Sequence, residues 1–329
     1  MLKINKLKRR IEDSEKILIV THQNPDGDAL GSQSALCQLL KKMGKNSYAV
    51  CLDEIPNLFS FLEGVKSVDN DFLLGDFDLI IILDCGDLKR TGFASRLKKN
   101  LKFRKKIINI DHHPRNDIHK IASINIVDYN ASSTAEIIFK IAQIWGIVID
   151  SKIATSLLCG IYNDTGGFKH SNTTPEVLKI TSELLSLGAR LKQITNNITN
   201  AKKLSTLKLW GLVLSRIRKI EKLGLVVSVI TLEDIKKYQA NVSDLAGVVN
   251  LINTIPDSSA AILFYEIQNG KIKASLRTEK NNIDVSCLAR IYGGGGLKKA
   301  SGFTINGKIR PDGNGGWKIA DYKIWRYTK

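Results

Sequence analysis

Four short runs rich in β-branched and aliphatic residues, Lys16 to Val20, Ser47 to Leu52, Leu79 to Leu83 and Lys106 to Ile110, alternate with stretches of helical periodicity through the first half of the chain. This rhythm constrains the fold more than any other feature. Near-continuous apolar runs are strands buried on both faces, and strands separated by helices pair in parallel, so the expected class is α/β with a doubly wound parallel sheet. The helices declare their ends. From Ser32 to Met43 the residues Ala35, Leu36, Leu39, Leu40 and Met43 hold one face, and Gly44 is placed to terminate it. Ser133-Thr134-Ala135-Glu136 has capping-box spacing ahead of Ile137 to Trp145, and Thr174-Pro175 reads as the cap and first residue of a helix stopped by Gly188.

Beyond Gly188 this alternation stops. The stretch 191–223 is mostly helical and basic and reads as a linker, and a smaller α/β unit follows. Its expected elements are a strand from Leu225 to Thr231, a helix from Asp244 to Ile252, a hairpin pairing Ala260 to Ile267 with Lys271 to Arg277 through Asn269-Gly270, and a helix from Asp284 to Tyr292. A length of 329 residues exceeds the usual single domain, so the expected division is 1–190, a helical linker at 191–223, and 224–329.

The apolar run Ile17 to Val20 is too short for a secretion signal, no span long enough for a membrane is visible, and the five cysteines are scattered and never spaced C-x-x-C. Reduced thiols and a cytoplasmic setting are expected. The formal charge of +17 suits a polyanionic partner, but a lysine-, isoleucine- and asparagine-rich composition produces the same excess, and Lys98 to Lys106 reads as a solvated connection between strands.

Chemistry-bearing residues gather after the strand-like runs. His22, Asp26 and Asp28 follow the first, Asp84 follows the third, Asp111-His112-His113-Pro114 follows the fourth, and Asp164 lies in Asn163-Asp164-Thr165-Gly166-Gly167. Loops at the carboxyl ends of parallel strands share one crevice, so these groups are expected to face each other. Each has an ordinary explanation singly, as a cap, a turn residue or a satisfied interior histidine. Together they are carboxylates too crowded to ionise without cations. Oxygen donors with a few imidazoles and no thiolate favour Mn²⁺, with Mg²⁺ the second choice, and a pair of ions roughly 3.5 to 4 Å apart would polarise a phosphoryl oxygen and activate water. His119 and His170 are expected at the surface.

His22 to Ser32 (HQNPDGDALGS), Leu83 to Asp87 (LDCGD), Asp111 to Pro114 (DHHP) and Asn163 to Phe168 (NDTGGF) resemble the four motifs of DHH phosphoesterases. Ala274 to Arg277 (ASLR) and Tyr292 to Phe303 (YGGGGLKKASGF) resemble the DHH-associated C-terminal domain of short oligoribonucleases and pAp phosphatases, so the likeness runs from about Lys16 to Phe303. It implies a parallel-sheet DHH domain, a smaller substrate-binding α/β domain and an active site in the cleft between them. It implies two Mn²⁺, one on His22 and Asp26, the other on Asp28, His112 and Asp164, with Asp84 bridging. Asp111 would orient a ligand histidine from behind, and His113 would meet the phosphate or the departing oxygen. Arg277 would bind a phosphate beside the glycine loop Gly293, Gly294, Gly295 and Gly296. The family usually has a histidine after these glycines, where this chain has Leu297; Lys298 and Lys299 are the nearest substitutes. The function implied is degradation of short RNA oligonucleotides to mononucleotides, extending to nucleotide bisphosphates such as pAp and to linear dinucleotides, with a homodimer left open. An inorganic pyrophosphatase or exopolyphosphatase is the alternative within hydrolases, and a catalytically silent nucleotide- or RNA-binding module is the alternative outside them.

Overall fold

The computed structural model describes residues 2–99, 107–113, 117–200, 203–313 and 316–320. Lys106, most of the basic stretch Lys98 to Lys106, and Pro114 lie outside the described residues. The chain forms two compact units, Met1–Ala201 and Lys202–Lys329.

The first unit runs α1 (Leu2–Glu12), β1 (Lys16–Val20), α2 (Gly27–Lys42), β2 (Asn46–Val50), β3 (Leu79–Leu83), α3 (Ala94–Lys99), β4 (Ile107–Asp111), β5 (Ile124–Val127), α4 (Thr134–Trp145), α5 (Ser151–Asp164), α6 (Pro175–Ser186) and α7 (Leu191–Thr195). Its sheet has the order β2-β1-β3-β4-β5, and every pairing is parallel. Successive strand residues serve opposite layers. Ile17, Ile19, Leu79, Ile81 and Leu83 pack with Leu30, Leu36, Ile138, Leu157 and Leu184 from the helices. Leu18, Val20, Ile80 and Ile82 pack with Phe72, Phe77, Phe93 and Leu97 on the other side. Full burial of each isoleucine is worth about 1.5–3 kcal/mol over exposure. Both faces are covered as expected, but unequally. Residues 51–78 lack helical periodicity and supply short 3₁₀ turns, so the second layer has α3 as its one α-helix among the described residues.

Three differences from the sequence reading bear on the site. Helix α2 starts at Gly27, ahead of the expected apolar face, because Asp26 caps it by accepting from Asp28 N and Ala29 N. Strand β5 and helix α5 were not anticipated. The former is a four-residue edge strand, mostly half-buried. The latter places Asp164 at a helix end rather than after a strand.

The second unit runs α8 (Leu204–Ser215), β6 (Arg218–Ile220), β7 (Leu225–Ile230), α9 (Leu232–Lys237), α10 (Val248–Ile252), β8 (Ala260–Ile267), β9 (Lys271–Arg277), α11 (Val285–Ile291), β10 (Gly295–Gly296), β11 (Ala300–Asn306), β12 (Lys308–Pro311) and β13 (Trp317–Ala320). Its main sheet has the order β10-β11-β9-β8-β7-β6, with β7 and β8 parallel and the other pairs antiparallel. The hairpin through Asn269-Gly270 forms as expected, both residues at φ 65. The helix expected from Asp244 to Ile252 is broken at Gly247, which stands at φ 91. The helical stretch 191–223 is shared between the units: α7 lies in the first, and α8 anchors to the second through Leu209, Val213 and a 2.7 Å bond from Trp210 Nε1 to Asp244 O.

Candidate metal centre

The order 2-1-3-4-5 has its topological switch point between β1 and β3, where ligands bind in open α/β sheets. His22 follows β1 and Asp84 follows β3, so the two strands that flank this point deliver the two groups. The loops that carry the site hold strained backbone. Asn24, Asp84 and Phe168 all adopt positive φ, at 50, 58 and 66 respectively, without being glycine. Asp84 is held there by a bond from its N–H to Ile110 O at 3.1 Å.

Three overlapping donor groups result: His22, Asp26 and Asp84; Asp28, His112 and Asp164; and Asp84, His112 and His113. Asp84, only 2% exposed, belongs to two of them. Its Oδ2 lies 3.7 Å from His22 Nε2, and its Oδ1 lies 3.5 Å from His112 Nε2. His22 Nε2 is 3.8 Å from Asp26 Oδ1, and His112 Nε2 is 3.2 Å from Asp164 Oδ2. Donors around an octahedral ion at about 2.1 Å sit about 3 Å apart, close to these separations.

The imidazoles show what the cluster fits. His22 Nδ1 donates to Gln23 O at 2.7 Å, and His112 Nδ1 lies 3.4 Å from Ala131 O. That fixes each ring and turns Nε2 inward, yet both Nε2 atoms are buried without a hydrogen-bond partner; the 3.2 Å approach of His112 to Asp164 lacks hydrogen-bond geometry. An unsatisfied buried polar atom costs roughly 1–3 kcal/mol. Two such nitrogens, each facing carboxylates, are what a divalent cation would satisfy, and the donor set is hard oxygen plus imidazole.

The charges agree. Burial, the largest influence on His22, would lower its pKa, but Asp26 and Asp84 more than reverse this and hold it up to about 10. His112 is raised against burial by Asp164 and Asp84, to about 11. Burial, then the charges of Asp84 and Asp164, push the Asp28 carboxyl well above the usual range. Burial also raises Asp164, aided by Asp26 and Asp84 and opposed by His112. Asp26 goes the other way: against burial, its contact with His22 holds it below the usual carboxylate range. Protons are therefore favoured on the two imidazoles, Asp28 and Asp164 unless cations replace them.

Asp28 is fixed by a helix end. Its Oδ2 accepts from Thr134 N at 2.6 Å, and its Oδ1 from Ala135 N at 2.9 Å and Ser32 Oγ at 3.2 Å. Its carboxyl group is thus seated on the backbone N–H groups of the first turn of α4. Thr134 Oγ1 also donates to Asp84 Oδ1 at 3.0 Å, a contact hidden in a Ser-Ser-Thr run that reads as a cap. Ser133 does cap α4, while Glu136 accepts from Ser132 N and Oγ. Close packing of α5 on α2 delivers Asp164. A Cβ on Gly31 would meet Ser156 O at 2.5 Å, and one on Gly160 would meet Asp28 Oδ1 at 2.5 Å.

Asp111 is bonded to His113 and not to His112. Its Oδ1 accepts from His113 N at 3.0 Å and His113 Nδ1 at 2.8 Å, and its Oδ2 from Gly86 N at 2.7 Å. His112 takes its orientation from Ala131 instead. His113 Nε2 makes no hydrogen bond among the described residues. His119 is exposed as expected, whereas His170 is half-buried against the Asp164 loop, its Nδ1 3.2 Å from Asp164 O.

In the second unit, Arg277 pairs with Ala300 across β9 and β11, beside the turn from Leu297 to Ala300. Arg277 Nε donates to Asn250 Oδ1 at 3.0 Å. Gly295 and Gly296 pair with Gly302 and Ser301, and side chains at Gly294 or Gly296 would strike Gly302 O or Ala300 O. Leu297 and Lys298 are exposed on this edge.

Residues 16–161 match the N-terminal domain of the DHH family, and residues 222–312 match the DHHA1 domain. The bifunctional oligoribonuclease and PAP phosphatase NrnA of Mycoplasma genitalium is 33% identical over 300 residues, covering 91% of each chain. That of Thermus thermophilus is 30% identical over 298 residues, covering 88% of this chain and 84% of the other. Among solved structures, an exopolyphosphatase-related protein from Bacteroides fragilis matches at TM-score 0.82 and 28% identity, covering 92% of this chain and 90% of that one. RecJ from Thermus thermophilus shares the fold at TM-score 0.52 and 13% identity, covering 92% of this chain and 51% of its own.

Proposed function

This chain belongs to the DHH family of phosphoesterases, and on that premise we propose that it is a Mn²⁺-dependent hydrolase of short oligoribonucleotides that also dephosphorylates pAp. One observation carries the reading: the two oxygens of Asp84 each face an unpartnered, buried imidazole nitrogen, the arrangement of a carboxylate shared by two cations. His22, Asp26 and Asp84 would hold one ion, and Asp28, His112, Asp164 and Asp84 the other. Bound there, the ions would supply Lewis acidity toward a phosphoryl oxygen and lower the pKa of water.

The chain's own residues then divide the remaining work. Asp111 holds the His113 ring so that Nε2 faces the phosphate and the departing oxygen. In the second unit Arg277 presents a planar fork to a substrate phosphate, and the glycine run admits close backbone approach. Two relatives named for oligoribonuclease and PAP phosphatase activity, each similar over most of its length, support the nucleotide substrates. Linear dinucleotides fit the same chemistry. All five cysteines are free, which supports a cytoplasmic setting, and no helix among the described residues is long and apolar enough to cross a membrane.

The exopolyphosphatase-related relative of known structure favours a second reading, hydrolysis of inorganic polyphosphate at the same centre. Separate incubations with Mn²⁺ and a diribonucleotide, pAp, pyrophosphate, polyphosphate and a long single strand distinguish the two. Mononucleotide release from the diribonucleotide is expected; turnover of the inorganic substrates alone would overturn the nucleotide reading.

A further inference from the structure

Among the described residues, no carboxylate lies within ion-pair reach of the Arg90 guanidinium, which stands beside the candidate metal centre. Arg90 sits in the short 3₁₀ turn Lys89–Thr91 that follows Asp84. The backbone there is tied down: Arg90 N donates to Asp87 Oδ1 at 2.9 Å, and Arg90 O accepts from Gln23 N at 2.7 Å. The guanidinium itself has no acceptor and no carboxylate within ion-pair reach among the described residues, although the chain around it is rich in aspartates.

Its position is set by Gly86. A Cβ there would lie 3.1 Å from Arg90 Nη1 and 3.2 Å from His113 Cγ, so guanidinium and imidazole flank the same residue. Gly86 is part of the rigid unit around Asp111, since its N–H donates to Asp111 Oδ2 while Asp111 Oδ1 holds His113. His113 Nδ1 in turn lies 3.5 Å from Asp84 Oδ1. Arg90 is therefore one side chain removed from the shared carboxylate, with its donors unspent.

Guanidinium donors need anionic acceptors, and planar forks match phosphate oxygens two at a time. We propose that Arg90 is a substrate-binding residue which, with His113, grips the non-bridging oxygens of the phosphate at the metal centre. This rests on the proposed phosphohydrolase reading and deepens it: the first unit recognises phosphate by itself, which makes Leu297 tolerable in the second. The Arg90 side chain makes no hydrogen bond or ion pair among the described residues, so removing it breaks none.

The test uses the full chain with Mn²⁺ and the variants Arg90→Ala and Arg90→Lys, reading kcat and KM on a diribonucleotide and the affinity for inorganic phosphate by calorimetry. Arg90→Ala should raise KM and weaken phosphate binding by about ten-fold or more, leave the melting temperature unchanged, and be partly rescued by Arg90→Lys. KM and phosphate affinity both within about two-fold of the unsubstituted protein would overturn the inference. If the unsubstituted protein turns over only inorganic substrates, the nucleotide reading fails while phosphate affinity still decides the role of Arg90.

Discussion

Gly160→Ala probes the packing that places the acids, without altering any donor. The added methyl would stand 2.5 Å from Asp28 Oδ1 and 2.6 Å from Ala135 Cβ, on the seam where α5 meets both α2 and α4. Neither neighbour recedes easily, because Asp28 is bonded to Thr134 N and Ala135 N at the start of α4. Alanine gains up to about 1 kcal/mol of helix propensity over glycine, and overpacking costs about 1–3 kcal/mol. If Asp28 moves, two charge-assisted bonds weaken, each worth about 1.5–3 kcal/mol. The net expectation is a loss of at least about 2 kcal/mol, or about 4–8 °C in melting temperature for a unit of this size. Urea unfolding measures the loss, and calorimetric titration with Mn²⁺ measures the accompanying fall in affinity. Gly211→Ala is the control: its Cβ meets nothing within 4 Å in helix α8, so it should be neutral or slightly stabilising. Unchanged stability and unchanged metal affinity in Gly160→Ala would refute the packing explanation for Asp28.

Three further outcomes are expected. In metal-free protein the raised His22 and His112 contribute stability that is fully present below their ordinary pKa of 6.5 and lost as pH rises through about 10 to 11, and the raised Asp28 and Asp164 act in the same direction. Metal competes with those protons, so thermal stabilisation by Mn²⁺ should grow from about pH 6 to about pH 9; a larger gain at the acid end would contradict the linkage. His113→Ala should lower kcat by about 10²–10³ with Mn²⁺ affinity changed only a few-fold, since His113 Nδ1 is committed to Asp111. Leu297→His should lower KM by about two- to ten-fold, the worth of one added hydrogen bond; a higher KM would show that the loop binds substrate differently.

Much of the site was legible because the chemistry lies at the ends of strongly patterned strands. The aliphatic runs of β1, β3 and β4 place His22, Asp84 and His112 at one sheet edge by topology alone. What stayed hidden depends on tertiary packing. Asp164 is carried by a helix whose small residues Ser156 and Gly160, four apart on one face, do not say which helix they meet, and its approach to Asp28 follows from α5 lying against α2. Sequence adjacency likewise could not say which of two neighbouring histidines turns toward Asp111; the backbone after β4 gives His113 that bond and leaves His112 to Ala131. Strand β5 is half-buried and four residues long, too short for its pattern to stand out.

The central claim is a pair of cations sharing Asp84, and calorimetric titration of Mn²⁺ into metal-free protein, run beside Asp84→Asn, tests it most directly. Two ions per chain are expected, with both affinities weakened by at least about 100-fold in the variant, because each ion loses the same charged ligand. A variant that still binds two ions with undiminished affinity would contradict the shared-carboxylate centre.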